Sequence, residues 1–202
     1  MDKEKLYINS FCQISNQEVC LNDELIFRSI ESDFNVFAKE IYQKFEIQYP
    51  KFHKMDALCK LAFLSSEFVL NQNYNPETAI ILANHSSSLD TDVKHQKTIQ
   101  NQENYFPSPA VFVYTLPNIT IGEISIRHQL KSESAFFVDE NYPIELIHQQ
   151  AEYLIKSGKT TQVLCGWTEY FQNNYQAFVY LVGKEGNVPL ESKFIKERII
   201  NK

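Results

Sequence analysis

The chain has 202 residues, 44% of them apolar, with 19 basic against 25 acidic side chains and a net charge of −6. A chain this long buries roughly 70% of its unfolded surface, so its core needs no disulfide or metal staple. The acidic balance is opposite to that of a phosphate-contacting nucleic-acid binder, and no apolar run approaches the ~18 residues of a membrane-spanning helix. Met1–Lys5 is charged with no signal-peptide core behind it, and five glycines are too few for Gly-rich phosphate loops. The expectation is one cytoplasmic α/β domain over residues 1–202, without nucleic acid or membrane span.

Leu6, Ile8, Cys12 and Ile14 recur at a period of two and predict a first strand on one face. Phe34, Phe37, Ala38, Ile41 and Phe45 mark a helix over Glu31–Phe45, closed by Pro50, and Met55–Leu70 repeats the pattern. Asn71–Pro76 reads as a polar loop. Ala79–Ala83 is a continuous apolar run, as in a strand buried on both faces. Asn84–Gln102 is polar, without an apolar face wide enough for a long core helix. Ala110–Leu130 holds two apolar segments punctuated by Pro117 and Gly122. A short strand at Ala135–Val138 precedes a helix at Ile144–Ile155. Thr161–Cys165 reads as a strand, Ala177–Val182 as one more at an edge, and Glu191–Lys202 as a short helix. This alternation predicts an α/β fold on a largely parallel sheet.

The four cysteines (Cys12, Cys20, Cys59, Cys165) form no CxxC pair, and each lies near apolar residues, which predicts buried thiols. The five histidines are scattered without an HxxxH pair, so no metal and no cofactor are expected. The densest polar cluster is NHSSSLDTD, Asn84–Asp92, directly after the buried strand, where α/β proteins place their sites. By residue type His85, Ser86, Ser87 and Asp90 supply a base, nucleophiles and an orienter. Crowded into one loop without a GxSxG elbow, they read first as turn and cap residues. A serine-dependent acyl hydrolase or transferase built on Ser86–Ser88 stays as the alternative chemistry. At Phe136–Pro143 a strand turns sharply into a helix, a junction that would activate a cysteine. It carries Asn141 instead, which reads as an N-cap with Pro143 in the first turn.

The run SPAVFVYTLPNITIGEISIRH, Ser108–His128, resembles the LPN-and-glycine segment of β-ketoacyl synthases of the thiolase fold, where a helix leads through a turn to a second helix. YINSFCQIS resembles that family's opening strand, KMDALCKLAFLSSEFVL its Met-Asp helix, and IILANHSSSLDTD its second core strand with the following loop. AEYLIKSGKTTQVLCGWTE, Ala151–Glu169, resembles its "IxxGxxDxxLAGGxE" stretch. The segments keep the family's order over residues 6 to 182. The resemblance implies a single N-terminal half of the thiolase-like fold, a mixed five-stranded sheet flanked by helices.

Counted back from Gly158, Gly166 and Glu169, the family's nucleophilic cysteine falls on Asn141, the junction found from pattern alone. Asn9 and Phe11 stand where glycines are usual, and Trp167 replaces one of the "GG" pair. The two catalytic histidines belong to the family's C-terminal half, and none of the histidines here matches them. The resemblance therefore implies a catalytically inactive ketosynthase-like accessory protein of fatty-acid- or polyketide-type synthesis. Its short relatives are associated with aryl-polyene and flexirubin-type pigments. A decarboxylase-like role at Asn141 would need a partner chain to stabilise the enolate. Ser86, Ser87, Asn118 and Asn141 are the candidate acyl- or substrate-binding residues. Phe136, Phe137 and Val138, in the strand that pairs across the two-fold axis of ketosynthase dimers, are the candidate interface. The implied partners are a second copy or a ketosynthase, with an acyl carrier protein as a further candidate.

Overall fold

A computed structural model describes residues 5–70 and 75–199. One mixed sheet organises them. Its strands are β1 (Tyr7–Ser15), β2 (Glu18–Leu21), β3 (Glu24–Arg28), β4 (Ala79–Asn84), β5 (Ser134–Val138), β6 (Gln162–Phe171), β7 (Asn174–Gly183) and the short β8 (Val188–Pro189). The order is β3-β2-β1-β7-β6-β4-β5, with β8 beside the start of β1. β5, β4 and β6 are parallel, and β7 runs antiparallel between β6 and β1. The five strands β5-β4-β6-β7-β1 match the expected half-fold. The sheet is nevertheless eight-stranded, because the β2–β3 hairpin and β8 extend it. β7 is a central strand rather than an edge.

The hairpins turn on residue pairs that both take positive φ: Asn16–Gln17, Asn22–Asp23 and Gln172–Asn173. That geometry matches the right-handed twist of the flanking strands, and asparagine and aspartate tolerate it without glycine. The expectation of one apolar face on β1 fails for a local reason. A bulge between Ile8 and Ser10 shifts the register, so Leu6, Ile8 and Phe11 face one core while Cys12 and Ile14 face the other.

Two cores lie on opposite faces of the sheet. The first packs under α1 (Phe34–Lys44), α2 (Ala57–Leu70) and α5 (Ile119–His128), with α3 (Leu89–Ile99) and α4 (Pro109–Val113) outside it. α2 is buried on almost every side, as befits a helix between sheet and outer helices. Asp56 caps it by accepting from the Cys59 N–H at 2.8 Å. Asp33 caps α1 through the Asn35 and Val36 N–H groups. α3 lies in the polar stretch 84–102, expected to hold no long core helix; only Thr91 of it is buried, so it carried no apolar signal. The two segments expected in 110–130 are α4 and α5. The second core lies under α6 (Ile144–Lys156) and α7 (Ser192–Ile199). Residues 71–74 of the expected polar loop and 200–202 of the expected terminal helix lie outside the described residues.

Cys12, Cys59 and Cys165 are buried, and burial pushes their thiols well up; Cys20 is only half-buried. Among the described residues no helix is long and apolar enough to cross a membrane, and no group of His, Cys, Asp and Glu is placed to hold a metal.

Candidate functional site

Parallel pairing brings the carboxyl ends of β4, β5 and β6 to one edge of the sheet. Ala83 lies beside Trp167 and Asn84 beside Val138, and the Asp139 N–H donates to the Asn84 carbonyl at 3.0 Å. The polar loop after β4 and the junction after β5 are therefore neighbours, the placement expected for a site in an α/β fold.

The loop after β4 is held by its own backbone. Asn84 is fully buried, and its carboxamide accepts from the Ser87 N–H at 3.0 Å and donates to the Ser87 carbonyl at 2.8 Å. Ser87 takes φ 51°. Glu169 completes the turn: its Oε2 accepts from the N–H groups of His85 at 2.7 Å and Ser86 at 3.1 Å. His85 is exposed, and among the described residues no hydrogen bond joins its ring to a serine. Asp90 is committed elsewhere, accepting from the Gln172 N–H at 3.1 Å and pairing with Lys94 at 2.6 Å. The His85, Ser86 and Asp90 side chains thus do not assemble into a triad. The Ser88 hydroxyl is buried without a hydrogen-bond partner among the described residues.

At the second junction Asn141 is exposed and is not the helix cap. Pro143 occupies that position, and Asn141 only donates its N–H to Asp139 Oδ1 at 3.4 Å. Two turn residues, Tyr142 and Pro143, separate Asn141 from the first helical residue, Ile144, so its side chain cannot reach the helix N–H groups. Beneath it the interior is filled by rings. The Tyr142 and Tyr180 hydroxyls meet at 2.9 Å, and Trp167 lies edge-on to Tyr142 with ring centres 5.8 Å apart. Burial pushes both tyrosine hydroxyls well up, so they stay neutral.

Outside these rings a cleft of about 640 Å³ opens between α6, the sheet and α7, lined by Asn141, Leu146, Trp167, Gln176, Lys196 and Ile199 among others. A smaller one of about 430 Å³, lined by Gln17, Glu169 and Tyr175, shares Gln176 with it. The first volume falls within the range of small-molecule sites. Asn141, Gln176 and Lys196 offer it hydrogen-bonding groups, and Leu146, Trp167 and Ile199 offer apolar surface. Sequence reasoning did not find Gln176 and Lys196 as wall residues or Glu169 as the anchor of the serine loop. Only Glu169 carried a signal, as the last residue of the matched Ala151–Glu169 stretch.

Asn118 is exposed at the start of α5, and no hydrogen bond among the described residues joins it to Asn141 or the serine loop. Phe136 and Phe137 are half-buried and Val138 is 54% exposed on β5, an outer strand of the sheet.

No protein-family model matches the chain, and comparison with curated proteins finds no match. Solved structures do match. The ishigamide ketosynthase/chain length factor superposes with a TM-score of 0.68 at 16% identity, over 89% of this chain and 62% of that one. The ketosynthase ApeO in complex with its chain length factor ApeC, from Xenorhabdus doucetiae, gives 0.63 at 15% identity, over 92% and 81%. AntDE:AntF, a type II polyketide synthase acyl-carrier protein in complex with its ketosynthase bound to the hexaketide, gives 0.61 at 12% identity, over 97% and 65%. The chain thus spans less than two thirds of the first and third of these. Together with the strand order, these superpositions show that the chain has the thiolase-like fold seen in ketosynthases and chain length factors.

Proposed function

We propose that the chain is a non-catalytic, ketosynthase-like accessory protein of fatty-acid- or polyketide-type synthesis, of the aryl-polyene or flexirubin kind. The observation that carries this reading is Asn141: an exposed carboxamide at the strand-to-helix junction, over an interior closed by Tyr142, Trp167 and Tyr180. Asparagine is no nucleophile. The likeness to structures named as ketosynthase–chain length factor pairs and as a ketosynthase–carrier complex supports a ketosynthase, a carrier protein or an acyl chain as partner. A cytoplasmic setting belongs to the same proposal. The purified chain, given malonyl- and acyl-carrier protein, is expected to yield neither condensation product nor carbon dioxide. Turnover that disappears in Asn141→Ala would overturn this reading.

Its association surface is β5. The opposite edge strand, β3, is guarded by Glu24 and by Arg28 paired with Glu18 at 2.6 Å. The segment 105–122, which runs into the helix α5 that packs on β5, has no charged residue, and it exposes Tyr105, Phe106, Phe112, Val113 and Leu116. A bare edge beside an apolar patch is a pairing surface, whereas charges blunt such an edge. The partner is a second copy or a full-length ketosynthase, distinguished by mass and stoichiometry on co-purification. Val138→Lys is expected to abolish the association. The serine-dependent alternative is tested by fluorophosphonate labelling, and Ser86–Ser88 are expected to stay unmodified because no base reaches them.

A further inference from the structure

Glu123 of α5 is a carboxylate only 2% exposed, and three parts of the chain converge on it. The Tyr49 hydroxyl donates to its Oε2 at 3.1 Å and the Tyr114 hydroxyl to its Oε1 at 3.2 Å, while the half-exposed Lys51 pairs with Oε1 at 2.7 Å. Tyr49 and Lys51 flank Pro50 between α1 and α2, and Tyr114 closes α4. Burial and the Glu123 charge push the Tyr49 hydroxyl up to about 12 and the Tyr114 hydroxyl further, so both stay donors. None of the four residues lines the Asn141 cleft.

Tyr114 is also the one buried residue of the uncharged segment 105–118, where Phe106, Phe112, Val113 and Leu116 are exposed around it. α3 adds two contacts: the Phe106 N–H donates to the Thr98 carbonyl at 2.9 Å, and the Phe112 and His95 rings lie 5.3 Å apart. α3 buries only Thr91, so it offers the segment little core of its own. The seat of the segment on the α2-side core is therefore Tyr114, and its hydroxyl meets Glu123 there. A buried carboxylate with its donors adds little net stability over apolar side chains of the same size, but it admits one arrangement.

We propose that Glu123 is a positioning residue: through Tyr114 it fixes the apolar arm 105–118 in the arrangement that meets the partner. This rests on the association surface proposed above. An arm already fixed loses little conformational freedom on association, whereas a loosened one must first be ordered, and affinity falls by that cost. Tyr49 donates to the same carboxylate from outside the arm, so it separates positioning of the arm from general stabilisation.

The test compares the full chain with Tyr114→Phe, Glu123→Gln, their double variant and Tyr49→Phe. Both phenylalanines keep the ring and remove only the donor. Chymotrypsin cuts after the aromatic residues that the arm exposes, at a rate that follows the population of its opened form. Tyr114→Phe and Glu123→Gln should each speed cleavage within 105–116 about tenfold, the lower end of what a hydrogen bond to a charged group is worth. The double variant should be no faster than the faster single one, and Tyr49→Phe should stay within about twofold of the parent. An unchanged rate in Tyr114→Phe, additive effects in the double variant, or an equal gain in Tyr49→Phe would overturn the mooring. Sedimentation of the co-purified complex, or of the chain alone where no partner co-purifies, should show association weakened by a similar factor in Tyr114→Phe and unchanged in Tyr49→Phe. Association of equal strength in Tyr114→Phe would overturn the positioning role. A parent that never associates would overturn the association surface itself, and the cleavage rates would still decide the mooring.

Discussion

Glu67 on α2 is 1% exposed and lies between two residues of α5: Arg127 at 2.5 Å and His128 at 3.1 Å. Burial alone would push its carboxyl up, but hydrogen bonds and charge from His128 and Arg127 overcome this and hold it at about 2, against an ordinary 4.5. A folded-state value below the unfolded one adds stability above pH 4.5, lost as the pH falls through 2. The depression corresponds to on the order of 3 kcal/mol. Glu67→Gln is therefore expected to lose about that much in urea unfolding at pH 7, since it leaves Arg127 without its anion. The difference from the parent should shrink between pH 4.5 and 2, and a difference that does not change with pH would remove the carboxylate from the account. Gly166 illustrates a different constraint. A Cβ there would sit 2.9 Å from the Phe178 carbonyl of the paired strand, a backbone atom that cannot turn away. Gly166→Ala should cost at least ~1–3 kcal/mol through displaced strands, as overpacking does. Denaturant midpoints check this.

Elements with a strong apolar period were legible in the sequence: α1, α2, α6 and the buried strand β4 follow the expected runs closely. What escaped was written in turn chemistry instead of hydrophobicity. β2 and β3 are short and half-exposed, and they turn on Asn22–Asp23 without the glycine that usually marks a hairpin. α3 turns so little toward the core that its sequence reads as polar loop. The candidate site was legible to the same degree. The Asn141 junction follows from a strand running into a helix, whereas the Glu169 anchor and the α7 wall come from residues far along the chain that only the sheet order brings together. Asn173 shows how much such a turn carries. With φ 66°, its side chain accepts from the Phe34 N–H at 2.8 Å and donates to the Ser32 carbonyl at 2.9 Å, seating the start of α1 on the β6–β7 turn. Asn173→Ala loses both bonds and places an alanine in the left-handed region, so a loss of about 2 kcal/mol is expected in thermal or urea unfolding. A loss within a few tenths of a kcal/mol would mean that α1 is seated by Phe34 and Phe37 alone.

At the scale of the whole molecule, both cores are built on the same strands. Along β6, Val163, Cys165 and Trp167 face the core under α6 while Leu164 and Tyr170 face the core under α2; along β7, Phe178, Tyr180 and Val182 alternate with Ala177, Val179 and Leu181 in the same way. Neither core can be dismantled while its opposite stays intact, because freeing one face takes away the strands that floor the other. The thiolase-like half-fold is thus expected to unfold as one cooperative unit, although its helices fall into two groups with no core in common. Trp167 reports the α6 face, and the tyrosines Tyr49 and Tyr114, which donate to the buried Glu123 of α5 at 3.1 and 3.2 Å, belong to the α2 face. Denaturant curves followed by Trp167 emission, by near-ultraviolet tyrosine signal and by far-ultraviolet circular dichroism should therefore share one midpoint and one slope. A tryptophan midpoint clearly below the far-ultraviolet one would mean that the α6–α7 layer comes off first, with the sheet kept by the α2 side. α7, an eight-residue helix at the end of the described chain that packs only on the α6-side core, is the exception, because its opening removes no strand. Its amides should exchange with solvent far faster than those of β7, at a rate set by local opening and not by global unfolding.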